Sequence, residues 1–392
     1  MSVAVARSPS PEERLVLATC RTPMTGAARR RAEALLDGPL DWQAVFACAG
    51  RWQVEPVAFT NLLAIAGEAL PQATRQEATT RCWTARARSW KLTTVLLDLL
   101  RLLEGAGIPV IVLKGPAIGL VAYGDVTMRT FNDLDLLVQP ADVRQARSLL
   151  VDAGYRAYYD PRQELSRLKG QHPLEFSDGR THVDLHTTLF SRYLKLDIDA
   201  AAAWRDARTV PCLDSTIRVL ARHHLYVYLC AHGAKHQWQL FRWVCDVAQL
   251  DASLEPTDVE RITALATTVG ARRLVALGTR LAGRISGGAP TNVDADRMES
   301  EAATRALVRQ VETAWFGAPA RGDGGLLAVL HPSLRGLGYW MAARERVWDR
   351  LIAPMRLAVS SSARDARAGS LRGLWRPLRL AAGVVQRAVL HR

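Results

Sequence analysis

Residues 113–139 read LKGPAIGLVAYGDVTMRTFNDLDLLVQ, and this stretch decides the fold. Leu134, Leu136, Leu137 and Val138 make a short apolar run, the signature of a buried strand. Side chains alternate along a strand, so Asp133 and Asp135 share one face. Two half-buried carboxylates side by side repel and are costly unless a cation compensates them. Magnesium or manganese is the natural partner, because hard ions take carboxylate and phosphate oxygens together. Upstream, Pro109–Leu113 is an apolar, β-branched run between Gly107 and Gly115 and reads as another strand. Pro116–Tyr123 reads as a short helix with proline in its first turn. Strand, glycine and helix in that order suit an anion: Gly115 admits a phosphate close to the backbone, and the helix N-terminus offers unpaired N–H groups. Lys114 adds a point charge there, and Arg129, four residues before Asp133, is placed to clamp a phosphate oxygen.

Working outward, Ala141–Ala153 has the spacing of a helix closed by Gly154, and Tyr155–Tyr159 reads as a strand. His182–His186, HVDLH, alternates polar and apolar as a half-buried strand does, with Asp184 as a third acidic ligand. His186 falls on the same face and is expected either to orient Asp184 or to serve structure alone. The expected architecture is therefore α+β, with a small mixed sheet in residues 106–212. A helical region precedes it at 28–105, with Asp41 as an N-cap and a long helix over Glu77–Leu103 carrying Leu92, Leu96, Leu99 and Leu103 on one face. Residues 1–27 read as a flexible arm. A helical domain is expected over 213–358, with helices at Ile217–Leu229, Phe241–Leu250 and Val259–Ile285, the last split at Gly270. A loop at Gly287–Thr291 and helices at Arg297–Phe316 and Tyr339–Leu351 follow. The end, 359–392, is a basic tail in which Leu371, Leu374, Trp375 and Leu378 alternate with arginines, a pattern open to weak contact with a membrane surface.

No run of eighteen apolar residues is present, which argues against a transmembrane helix. Six dispersed cysteines with no CxxC pair read as reduced thiols in a cytoplasmic protein. The net charge of +13 comes from arginine. No dense basic block interleaved with aromatics accompanies it, so nucleic acid is not the favoured partner and an Arg- and Ala-rich composition is the simpler reading. His232 and His236 stand four apart on a helix, a spacing that permits zinc, but Lys235 between them argues against a cation. The alternative is that Lys235 and His236 line the cleft and meet a phosphate, or that the helix packs on the sheet. Trp238, Trp243, Trp340 and Trp348 read as core residues.

The run from Leu113 to Tyr155, with HVDLH after it, resembles the uncharacterised nucleotidyltransferase family of bacteria, within the DNA polymerase β-like superfamily. The likeness rests on LKG, on Arg129 before DLDLLV, on the helix ending in Gly154-Tyr155, and on VDLH. It extends to LCAHGAKHQW at 229–238, then Trp243 and Asp246, and spans roughly residues 40–350. The resemblance implies transfer of a nucleoside monophosphate from an NTP, ATP being the first expectation, to a hydroxyl acceptor with release of pyrophosphate. Gly115 would cradle the triphosphate, Asp133 and Asp135 would bind two metal ions, and Asp184 would bind the ion that activates the acceptor. The chain departs from the wider superfamily at Gly115-Pro116, where a Gly-Ser or Gly-Gly pair is usual. That departure either shifts phosphate contact to Lys114 or Arg129 or weakens triphosphate binding. Rival readings are a catalytically weak nucleotide- or RNA-binding module and an antitoxin-like protein-modifying partner. The acceptor (small molecule, peptide or protein) is not readable.

Overall fold

The computed structural model describes residues 7–190, 196, 198–285, 291–299, 301–316, 339, 342 and 343. Its centre is a seven-stranded mixed sheet in the order β3-β4-β5-β2-β1-β7-β6. The strands are β1 (Ile111–Val112), β2 (Asp133–Leu137), β3 (Arg156–Ala157), β4 (Leu174–Ser177), β5 (His182–His186), β6 (Arg208–Cys212) and β7 (Ser215–Val219). β2 runs parallel to β5 and antiparallel to β1, and β1 runs parallel to β7.

The helices are α1 (Pro11–Thr19), α2 (Gly26–Leu36), α3 (Trp42–Trp52), α4 (Glu55–Ala66), α5 (Gln72–Gly105), α6 (Pro116–Tyr123), α7 (Val143–Asp152) and α8 (Pro161–Lys169). They continue as α9 (Ala200–Asp206), α10 (Arg222–Lys235), α11 (Arg242–Asp251), α12 (Pro256–Val269), α13 (Arg272–Ile285), α14 (Ala295–Met298) and α15 (Glu301–Phe316).

Strand alternation divides the sheet between two cores. Leu134, Leu136, Val183 and Leu185 pack on one side against Leu96, Leu99 and Leu103 of α5 and Ala146 and Leu150 of α7. Ile111, Leu113 and Leu137 point the other way, into a larger core. That second core joins α1–α4 to α10–α15, so the N-terminal helices are no separate region; Trp52 of α3 stacks on Phe241 at 4.3 Å. Asp133 and Asp135 have the same parity as Leu137, which turns them towards α10 and α11.

Several expectations change. Residues 11–19, read as part of a flexible arm, are a helix. Ser10 and Glu13 cap each other's backbone N–H, and Leu15 and Val16 are buried in the core. The strand expected over Pro109–Leu113 pairs only at Ile111–Val112, and that over Tyr155–Tyr159 only at Arg156–Ala157. The helix expected from Ile217 begins at Arg222. Residues 208–219 form a hairpin instead, with Ile217 and Val219 buried and Val219 beside Val112 of β1. The boundary at 212/213 therefore cuts through the sheet. The split at Gly270 is present, with glycine in the left-handed conformation at φ 70°. Arg297–Phe316 is interrupted at Glu299, which is extended, with φ −156° and ψ 151°. Most of Tyr339–Leu351, most of the loop at 287–291, Trp340, Trp348 and the tail 359–392 lie outside the described residues. Among the described residues no helix is long and apolar enough to cross a membrane.

Candidate active site

The register of β2 and β5 puts Asp135 directly beside Asp184, with Asp133 beside His182 one two-residue step along, roughly 7 Å away at normal strand rise. On the far side of β5, Glu175 of β4 is in register with Asp184. Asp135, Asp184 and Glu175 thus form a row across three strands. With Asp133 they line one cavity of about 400 Å³ between the sheet and the helices α10 and α11.

Asp135 is the most buried of them, at 1% exposure. Its Oδ1 receives Lys114 Nζ at 2.7 Å and His186 Nε2 at 3.1 Å. Its Oδ2 is sealed from solvent and has no hydrogen-bond partner. Lys114 follows β1, whose neighbour is β2, and this explains the contact. His186 therefore engages Asp135, where the sequence reading had it orient Asp184 or serve structure alone. Lys114 and His186 hold the Asp135 carboxyl well below its ordinary range against the opposing effect of burial. Asp184 moves the other way: burial, then the charge of Asp135, pushes it up to about 8. Ligand atoms of Asp135, Asp184 and His186 lie within 4.8 Å of one another.

The donor set suits a divalent ion. A buried carboxylate oxygen without a donor, beside a carboxyl that burial and then repulsion keep from ionising, is the arrangement a hard cation relieves. Asp133, Asp135 and Asp184 supply oxygens only, and His186 completes the nearer cluster.

Arg129 lines the cavity, with its guanidinium paired to a carboxylate. Its Nε lies 2.9 Å and 3.0 Å from the two carboxylate oxygens of Asp246, and Nη2 lies 2.9 Å from Oδ2. Tyr123 also donates to Asp246, at 3.1 Å. A guanidinium 4% exposed needs such a partner, and α11 brings Asp246 to it. Arg242, one turn earlier on α11, also lines the cavity. It donates Nη1 to the Thr130 carbonyl at 2.9 Å, while its Nε is buried and without a partner. Burial, then the charge of Arg129, pushes its pKa down to about 10.

Gly115 does not border the cavity. Its φ of 58° and ψ of −118° suit glycine, and a Cβ would meet the Phe131 ring at 3.1 Å. It turns the chain from β1 into α6 and lets Phe131 pack across the turn. The opposite wall comes from α10 and α11: Tyr228, His232, Lys235, His236 and Trp243. The His232 and His236 rings are 4.8 Å apart and each meets Trp243, at 5.3 and 5.2 Å. Burial pushes His236 down to about 3 and His232 well below its ordinary value, so both are neutral at physiological pH. The α10–α11 turn forms because Gly233 lets Trp238 fold back; a Cβ there would sit 2.4 Å from the indole.

Sequence reasoning missed Glu175 and Arg242. Glu175 accepts from Tyr159 at 3.0 Å and from Arg167 at 2.5 Å, and Arg167 also lies over the Tyr159 ring. The signal for Glu175 was its place between buried Leu174 and Phe176; Arg242 had only its helical phase against Trp243.

A family described as uncharacterised nucleotidyltransferase matches residues 38–287, which contain every residue lining the cavity. The chain belongs to that family. This nucleotidyltransferase fits the fold expectation: α+β, one mixed sheet and helical flanks. A solved structure, ANT(2")-Ia in complex with adenylyl-2"-tobramycin, is similar over 50% of this chain and 98% of that one, at 13% identity and a TM-score of 0.30. That likeness is too slight to bear on the chemistry. No curated protein matches the nucleotidyltransferase.

Proposed function

We propose that the chain moves a nucleoside monophosphate from an NTP, ATP being the first candidate, to an acceptor hydroxyl. The acceptor oxygen forms a bond to the α-phosphorus, the bond from that phosphorus to the bridging oxygen breaks, and pyrophosphate leaves. The observation that carries this reading is the in-register pair Asp135 and Asp184, with the Asp135 oxygen that lacks a donor, inside a cavity large enough for a nucleotide.

Asp133, Asp135 and Asp184 would hold magnesium or manganese, which supplies Lewis-acid stabilisation of charge on the phosphates. The protein supplies the rest. Lys235 and Arg242 bring positive charge to the cavity, and the orphaned Arg242 Nε is a donor for a phosphate oxygen. Lys114 and His186 hold Asp135 in one orientation. Once a bound cation ionises it, the Asp184 carboxylate would receive the acceptor's proton. Trp243, His236 and Tyr228 offer flat faces for a base or an aromatic acceptor. Gly115 acts on this site through the chain path, by setting Lys114 beside Asp135. The cysteines Cys20, Cys48, Cys82, Cys212, Cys230 and Cys245 are all unpaired, which fits a reducing, cytoplasmic setting.

The test is incubation with each α-labelled NTP and magnesium or manganese, against a panel of hydroxyl-bearing small molecules, peptides and proteins. Label transfer with pyrophosphate release, absent in Asp135→Asn, is the expected result. Nucleotide binding that ignores both the metal and Asp135 would remove the proposal.

A further inference from the structure

Away from the cavity, the end of α9 and the start of α10 bring Asp206, His223 and His224 together. One ring nitrogen of each histidine and a carboxylate oxygen of Asp206 lie within 4.8 Å of one another. His223 Nε2 is 3.6 Å from Asp206 Oδ2, and the two imidazoles are 4.2 Å apart and tilted by 40°. Both histidines are buried, at 5% and 2% exposure. In each, Nδ1 is closed to solvent and has no hydrogen-bond partner. Two neighbouring imidazoles, each with a sealed, unpartnered nitrogen, are unusual, because buried polar atoms normally find partners.

We propose that Asp206, His223 and His224 form a second metal site, for zinc or a similar borderline divalent ion. Two imidazoles and one carboxylate are a zinc-type donor set rather than a magnesium one. Three protein ligands leave a fourth position for water, and the Asp206 side chain, 32% exposed, opens the site to it. Arg205 approaches the other oxygen, with Nε 3.2 Å from Asp206 Oδ1, but its side chain is 70% exposed and can turn into solvent.

The site is distinct from the catalytic cavity. His223 precedes His232 by nine residues of α10, about 13 Å of helix. A metal there would join the end of α9 to the start of α10. It would thereby close the segment that carries β6 and β7, and β7 pairs with β1 immediately before Lys114. Its role is that of a clip holding the sheet edge. The pair that the spacing singled out, His232 and His236, belongs to no such three-ligand cluster among the described residues.

The full-length chain, stripped with chelator, would be titrated with zinc by calorimetry. The titration uses an Asp135→Asn, Asp184→Asn background, because those carboxylates and His186 form a cluster of their own. One zinc per chain is expected there, bound at least ten times more weakly after Asp206→Asn and lost after His223→Gln. Zinc should raise the unfolding temperature, and cobalt in its place should give the visible absorption of a four-coordinate site. If the histidine variant does not fold, Asp206→Asn, at a partly exposed position, decides alone. Absence of zinc binding in that background, or binding that Asp206→Asn leaves unchanged, overturns the proposal.

Discussion

Replacing Asp246 separates two roles for Arg129. In the structure Asp246 is fully buried and takes Arg129 through Nε and Nη2 at 2.9–3.0 Å, with Tyr123 donating at 3.1 Å. Asp246→Ala leaves a guanidinium 4% exposed with no counter-charge. Breaking a buried pair in this way costs about 3–5 kcal/mol. Asp246→Asn keeps one acceptor oxygen and should fall at about the lower end of that range. Against a total stability of roughly 5–15 kcal/mol, the loss is large. With an m-value of about 3 kcal/mol/M, the urea midpoint should fall by about 1 M or more. Equilibrium urea unfolding reads the change. The double variant Arg129→Met, Asp246→Leu removes both charges and should recover most of it, because buried pairs are often replaceable by apolar side chains. A loss under about 1 kcal/mol for Asp246→Ala, together with a raised KM for NTP, would refute the reasoning and return Arg129 to the phosphate.

Further consequences can be checked separately. Arg242→Ala should raise the KM for NTP by about 10- to 100-fold, the worth of one charge-assisted hydrogen bond, while the urea midpoint stays close to wild type. Gly233→Ala drives a Cβ to 2.4 Å from the Trp238 ring, so it should cost about 3 kcal/mol by overpacking, seen as a lower unfolding temperature. In chelator, the raised Asp184 carboxyl stabilises the fold while protonated. That contribution is complete below the ordinary value of 3.8 and is lost as pH rises through about 8. The depressed Asp135 carboxyl works in the opposite sense, with stability lost only in acid, so it does not enter this range. The metal-free chain should thus be less stable at pH 9 than at pH 6, and Asp184→Asn should flatten the difference; an unchanged slope in thermal melts would count against the repulsion between the two carboxyls.

Local patterns made the centre of the molecule readable. DLDLL and HVDLH alternate, so the faces of Asp133, Asp135 and Asp184 followed from strand parity alone. Register is a different matter: nothing within either strand says that Asp135 lies opposite Asp184. The pairing of Arg129 with Asp246 was hidden for the same reason, since its partner is 117 residues away. The β6–β7 hairpin escaped notice because its strands are short and only partly buried, and Leu213 holds its turn at a φ of 53°. At α1 the signal was present: Ser10 and Glu13 have capping-box spacing, hidden by the neighbouring Pro11. Glu175 sits in LEFS, four residues whose alternation is too brief to separate from a loop.

Manganese binding in the presence of a non-hydrolysable ATP analogue tests the central claim most directly. Electron paramagnetic resonance should show manganese held by the wild-type chain with the analogue, and almost none held after Asp135→Asn or Asp184→Asn. Wild-type manganese occupancy in both variants would contradict a metal centre built on these two strands.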